Sequence, residues 1–254
     1  MNWPVLLTAT IIPDTRAISQ INDPSQRENQ YLSVLKWMAK AKTDVNKIIF
    51  CENSHFDLRS FEFLHNLYLQ NNRIIEIYHV PMPNTLIFYG KGWGEGIIIN
   101  WALKNISSFN QCDAFIKITG RHRLLNLKRV IEIIRRGLKV KPNIKFICQS
   151  FSNKNRPHIN TEFFWSDRKF YLDHIIDVHE KVDDVSGVYL EHVMAERLID
   201  LSRYFEIAIL PIPLIVHGMS GWNANPVMST RDILREKFMQ TLFPLPPLKR
   251  LICN

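Results

Sequence analysis

The sequence predicts an α/β fold in which a mostly parallel sheet is covered by helices on both faces. Three observations carry that expectation. Short β-rich runs alternate with amphipathic stretches over residues 1–150. The runs look like strands buried on both faces. Four strand, helix, strand units follow in succession, which right-handed crossovers turn into parallel neighbours.

The expected strands are Val5 to Ile12, Lys47 to Cys51, Ile74 to Val80, Ala114 to Thr119 and Ile144 to Gln149. Between them, Arg27 to Ala41 sets Tyr31, Leu35 and Met38 on one helical face, and Phe61, Leu64 and Leu67 recur at helical spacing. Glu95 to Lys104 and Leu127 to Gly137 complete the series. The pattern changes after Ser150. Residues 151–160 are polar, contain Pro157 and read as a loop, and an aromatic cluster follows at Phe163, Phe164, Trp165, Phe170 and Tyr171. A helix over Val188 to Ser202, a broken strand from Ile207 to Val216 interrupted by Pro211 and Pro213, and a helix over Thr230 to Thr241 come next. The final segment, Phe243 to Asn254, is proline-rich, apolar and basic, and reads either as a packed terminus or as a membrane-surface patch. The expectation is a single domain over residues 1–254, with a larger half at 1–150 and a smaller one at 151–254.

With 46% hydrophobic and 22% charged residues, and 9 glycines and 13 prolines in 254, the composition excludes disordered, collagenous and low-complexity classes. A formal net charge of +8, from 32 basic and 24 acidic side chains, biases the chain toward nucleotides, nucleic acid or lipid headgroups. Cys51, Cys112, Cys148 and Cys253 lack the spacing of a zinc site or redox dithiol, which leaves reduced thiols in a cytosolic protein as the simplest reading. Met1 to Thr10 has no basic segment before its short apolar stretch, and no apolar run reaches the ~18 residues that span a bilayer. Neither export nor a membrane helix is expected, and any membrane contact is peripheral.

Ligands of open parallel sheets bind outside the carboxyl ends of the strands. The first expected strand ends in Thr8, Thr10, Pro13, Asp14 and Arg16, the second in Glu52, Asn53 and Ser54, and the fourth runs into Thr119, Gly120, Arg121, His122 and Arg123. Gly90-Lys91-Gly92-Trp93-Gly94-Glu95-Gly96 holds four of the nine glycines just before a helical stretch. It reads as an anion cradle at a helix start, contacting a nucleotide diphosphate or sugar, or as a flexible turn with an N-cap. Arg121 and Arg123 make a basic turn suited to phosphate oxygens. Asp183, Asp184 and Glu191 surround Gly187 at a helix entrance. They read as N-capping groups, the better reading for Asp183, or as a general base, a role open to Asp184 and Glu191. His217-Gly218-Met219-Ser220-Gly221 closes the broken strand with a composition that could complete a phosphate pocket.

In order, these motifs resemble bacterial polysaccharide glycosyltransferases of GT-A-like fold, of the kind that build lipopolysaccharide or capsule. Thr8 to Pro13 looks like the first strand and nucleotide loop, Glu52-Asn53-Ser54 like the loop bordering the base, Gly90 to Glu95 like the glycine turn and donor helix, and His217 to Gly221 like the closing loop. Phe115 to Arg121 occupies the place of the acidic metal motif. The resemblance spans roughly residues 4–221 and implies a nucleotide-sugar donor held by residues 1–150. It also implies a glycan or lipid-linked glycan acceptor on the side of Phe163, Phe164 and Trp165, and a cytoplasmic location at the inner membrane face. The chain departs from that pattern in having no Asp-x-Asp; Thr119-Gly120-Arg121 stands there instead. Something cationic must still meet the leaving diphosphate, and Arg121, Arg123, Lys91 and His217 are the candidates. The expectation is therefore metal-independent transfer, with no cofactor, and with Glu191 or Asp184 as base. A sugar nucleotidyltransferase is the first alternative. A non-catalytic nucleic-acid-binding module is the second, although the basic residues are spread out and no nucleic acid is expected. A methyltransferase-like Rossmann domain is disfavoured because its glycine loop should follow the first strand.

Overall fold

The computed structural model describes residues 3–13, 21–82, 90–152, 156–219 and 225–251. In chain order the elements are β1 (Val5–Ala9), α1 (Pro24–Lys40), β2 (Lys47–Glu52), α2 (Phe63–Leu69), β3 (Ile74–His79), α3 (Lys91–Asn105), α4 (Ser107–Asn110), β4 (Ala114–Thr119), β5 (Arg123–Leu124), α5 (Leu127–Val140) and β6 (Ile144–Cys148). They continue with β7 (Phe151–Ser152), β8 (His158–Ile159), β9 (Phe163–Asp167), α6 (Arg168–His174), α7 (Leu190–Leu201), β10 (Glu206–Ile209), β11 (Val216–His217), α8 (Thr230–Leu242) and β12 (Lys249–Arg250).

One eight-stranded sheet runs in the order β12-β10-β6-β9-β4-β1-β2-β3. β3, β2, β1 and β4 are mutually parallel, as are β6 and β10. Strands on both sides of residue 150 share it. Each central strand feeds two cores, because successive side chains point to opposite faces. Val5, Leu7, Phe50, Ile118, Phe163 and Trp165 pack under α1, α2 and α5, with Tyr31, Leu64 and Ile134. Leu6, Ile49, Phe115, Phe146 and Phe164 pack under α3, α6 and α7, with Ile99, Tyr171 and Met194. The continuously apolar strands predicted this two-sided burial. Lys117 is a charged exception on the second face.

The aromatic cluster is where the expectation fails. Phe163, Phe164 and Trp165 do not border an acceptor cleft; they lie on β9, which enters antiparallel between β4 and β6. All three are buried, Phe163 and Phe164 completely. Phe164 stacks on Phe146 at 5.0 Å and Trp165 meets Trp3 edge-on at 5.6 Å between ring centroids. A strand buried on both faces in mid-sheet shows no alternation, so in sequence it reads like an exposed aromatic patch.

Smaller differences have local causes. α1 starts three residues early because Asp23 accepts from the Ser25 amide and Pro24 supplies a helix-ready φ. The broken strand is two strands in different sheets, β10 beside β6 and β11 beside β5. The tail is partly packed: β12 pairs antiparallel with β10, and the buried Leu251 donates its amide to the Ile207 carbonyl.

Phe164→Ala should lower the unfolding free energy by about 3–5 kcal/mol in urea titrations, as for other buried aromatics. Gly96→Ala should also be destabilising, by about 1–3 kcal/mol, because its Cβ would fall 2.1 Å from that of His179.

Candidate active site

The loops after β1 and β2 are bonded to each other residue by residue. Thr10 Oγ1 donates to Asn53 Oδ1 at 2.7 Å, the Ile11 amide to Glu52 Oε1 at 3.0 Å, and the Ile12 amide to Ser54 Oγ at 2.8 Å. Glu52 Oε1 also accepts from the Ser54 amide at 2.8 Å. Glu52 is fully buried, so its carboxylate shapes this rim and does not reach a donor. Pro13 follows, partly exposed, at the edge of the described segment.

A second network lies one strand over. Lys117, fully buried on β4, places its ammonium 2.5 Å from Glu95 Oε1, and donates to the Thr161 carbonyl at 2.6 Å and to Thr119 Oγ1 at 3.1 Å. Thr8 Oγ1 donates to the same Glu95 oxygen at 2.7 Å. Burial works to raise the Glu95 pKa, but the charges of Lys117 and Lys91 and these hydrogen bonds outweigh it and leave the pKa below the ordinary range. Thr161 Oγ1 in turn donates to Glu191 Oε1 at 2.8 Å. Glu95 is thus engaged inside the protein, whereas Glu191, in the first turn of α7, remains partly exposed.

The glycine turn does not leave an open anion cradle. The Gly92 amide donates to Asp184 Oδ2 at 3.1 Å, so a carboxylate from the protein itself occupies the anion position at the start of α3. Burial raises the Asp184 pKa, partly offset by the amides of Gly92 and Lys91. Gly90 has a φ of 98°, and a Cβ there would collide with Asp184. Added Cβ atoms at Gly92 and Gly94 would press on Leu190 and on the Asn53 amide. These glycines permit close packing. Lys91 is exposed. Asp183 closes the adjoining turn by accepting from the Val185 and Ser186 amides.

After β4 the chain turns sharply. The Gly120 amide bonds the Thr8 carbonyl at 3.0 Å, and a Cβ at Gly120 would lie 2.7 Å from that oxygen, which excludes other residues. Arg121 follows, only 4% exposed; its Nη1 lies 3.4 Å from Gln30 Oε1, and no carboxylate among the described residues pairs with it. Burial lowers the pKa of neighbouring Arg27, and the charge of Arg121 adds to that effect. Arg27 donates to the Thr10 carbonyl at 2.8 Å, tying this basic pair to the first loop. Arg123 is bound to Ser33 Oγ on α1, and across the β5–β11 pair it faces the exposed His217. His122 Nδ1 sits 3.3 Å from Glu162 Oε1. Burial favours a higher Glu162 pKa, but His122 and Asn160 pull it below the ordinary range. Arg16, Ser220 and Gly221 lie outside the described residues.

Of the candidate residues, the rim brings together Thr8, Thr10, Asn53, Ser54, Thr119, Gly120, Arg121 and Glu191. Sequence reading missed Arg27, Thr161 and Glu162. The last two arrive because β9 is antiparallel, so its amino end lies beside the carboxyl ends of its neighbours.

No known protein family matches the chain, and no curated protein does. Among solved structures, the glycosyltransferase GlyE of Streptococcus pneumoniae aligns with 96% of this chain at a TM-score of 0.56 and 11% identity. This chain has a GT-A-like fold. It spans 65% of the length of that structure. A cytidylyltransferase of Leptospira borgpetersenii aligns over 100% of both chains at a TM-score of 0.48 and 10% identity. The galactosyltransferase LgtC, in complex with donor and acceptor sugar analogs, aligns over 77% of this chain and 70% of its own at a TM-score of 0.46 and 11% identity.

Removing one partner of the Lys117–Glu95 pair should be costly. Glu95→Gln should destabilise the fold by about 3–5 kcal/mol, and Lys117→Met in the same chain should recover part of it. Because the folded pKa of Glu95 is depressed, its stabilisation is complete above the unfolded glutamate range near ~4.3. It is lost as pH falls below that range and through the folded value. Urea titrations from neutral pH downward should show this acid slope in the wild type and a shallower one in Glu95→Gln.

Proposed function

We propose that this chain transfers a glycosyl group from a nucleotide-sugar donor to a glycan or lipid-linked glycan acceptor in bacterial surface-polysaccharide synthesis, in the cytoplasm at the inner membrane face. The observation that carries the proposal is Arg121. A guanidinium held at the carboxyl rim of a GT-A-like sheet, buried and with an amide at 3.4 Å but no carboxylate among the described residues, has unmet demand for an anion. A donor diphosphate supplies one.

GT-A enzymes that hold a divalent metal do so with Asp-x-Asp, and the groups here do not fit that ion. Thr119 Oγ1 is engaged by Lys117, Gly120 has no side chain, and Arg121 is a cation. The charge that develops on the leaving diphosphate is met by Arg121, with the exposed Lys91 and His217 as further candidates. The acceptor hydroxyl attacks the anomeric carbon as the bond to the diphosphate oxygen breaks. In an inverting displacement, Glu191 accepts the hydroxyl proton while Thr161 holds its other oxygen in place. Asp184 is the weaker candidate because its carboxylate is committed to the start of α3.

The purified chain, incubated with a panel of radiolabelled nucleotide sugars, should release nucleoside diphosphate at a rate unchanged by EDTA. Arg121→Ala should slow release by about two to three orders of magnitude while leaving the unfolding midpoint near that of the wild type. Pyrophosphate as product, or activity abolished by chelation and restored by manganese, would instead indicate a nucleotidyltransferase or a metal-dependent transferase.

A further inference from the structure

The outer face of α8 inverts the usual pattern of a surface helix. The side chains that hold α8 to the body are Ile233 and Gln240, seven residues apart and therefore on one face. Gln240 makes polar contacts: its Oε1 accepts from Asn126 Nδ2 at 3.0 Å, and its Nε2 donates to the Pro213 carbonyl at 3.1 Å. The large apolar residues point away from the protein. Leu234, Phe238 and Leu242, spaced i, i+4, i+8, are 62%, 63% and 60% exposed, and Met239 and Phe243 extend the stripe. Arg231 and Arg235 lie along the same outward side, and Lys237 is exposed at its border. Of the two acids of the helix, Glu236 is mostly covered and touches Arg235, while Asp232 is exposed in the first turn and accepts from Ser229 Oγ. Behind the stripe, Met239, Phe243, Pro244 and Ile212 help line a hollow of about 360 Å³.

A contiguous apolar stripe flanked by three exposed cations and a single exposed carboxylate, Asp232, has the chemistry of a helix lying in the headgroup layer of an anionic bilayer. We propose that α8 is an in-plane anchor that docks the protein on an anionic phospholipid surface, with Leu234, Phe238 and Leu242 inserted and Arg231, Arg235 and Lys237 at the phosphates. A second copy of the chain is the poorer occupant. Two-fold pairing would set the same arginines against each other, and a chain of net charge +8 repels its own copies but is drawn to an anionic membrane. Of the two readings of the tail, the packed terminus holds for β12 and Leu251, and the surface proposed for lipid is that of the preceding helix.

Asn126, which holds α8 through Gln240, lies only a few residues beyond Arg121 in the chain. The anchor would therefore set the rim beside the lipid surface from which a lipid-linked acceptor comes. This last step rests on the proposed glycosyl transfer; the docking itself does not.

Co-sedimentation of the intact chain, without substrate, with vesicles of equal parts phosphatidylglycerol and phosphatidylcholine tests the docking. Binding should be strong at low salt, should weaken as salt rises, and should fall at least tenfold with phosphatidylcholine alone. Phe238→Glu with Leu242→Glu should abolish binding, and Arg231→Gln with Lys237→Gln should weaken it and flatten its salt dependence, both with an unchanged unfolding midpoint and unchanged donor turnover in solution. Should either double variant lose fold, the other with the lipid comparison still decides the outcome. Equal binding by both folded variants, no binding to the anionic vesicles, or a dimer in sedimentation equilibrium that Phe238→Glu dissociates would overturn the proposal. A failure of glycosyl transfer with vesicle binding intact would fall on the activity alone.

Discussion

An ammonium group in the middle of a sheet is the constraint around which the rim is organised. Lys117 is fully buried on β4, in the face that α3 covers, and an uncompensated charge there would cost several kcal/mol. Its compensation recruits Glu95 from α3, Thr119 from its own strand and the Thr161 carbonyl ahead of β9. Thr8 and Glu191 are drawn in through Glu95 and Thr161. One desolvated charge therefore fixes the relative positions of β1, β4, α3, α7 and the entry to β9, which are the elements that supply the site.

The same economy of charge explains why several polar residues at the rim are unavailable to a ligand. Anionic positions that a nucleotide might fill are taken by the protein's own carboxylates: Asp184 at the start of α3 and Glu52 under the first loop. Such internal anions pre-shape the cleft and remove the need for a ligand to order it. Arg121 behaves differently. It is buried like the others but is met by an amide at long range, beside a second arginine. That contrast is what the proposed role of Arg121 toward a diphosphate rests on.

The outer surface of α8 extends the picture from the cleft to its setting. The helix is held by one apolar residue and an amide network, with its larger apolar side chains outward. Its attachment to Asn126 links that face to the segment that leaves the basic turn. Rim and face are then two ends of one short stretch of structure, an arrangement on which both proposals draw.

The chain's local pattern was enough to read the α/β class, the strands β1, β2, β3, β4 and β6 and the rim loops after β1, β2 and β4, because burial on both faces and punctuation by glycine and polar residues are local properties. It also singled out Arg121 and Glu191 as candidates, since each lies next to a recognisable boundary. Where it went astray was in Phe163 to Trp165 and in the glycine turn. An apolar run does not state which way it enters a sheet, and only the pairing of β9 with β4 and β6 turned those rings into core and carried Thr161 and Glu162 to the rim. Likewise, a glycine permits close approach without naming what approaches: at Gly92 and Gly96 the neighbours are Leu190 and His179, each far away in the chain. Direction of pairing and identity of distant neighbours are set by global packing, and so they were decided in three dimensions alone.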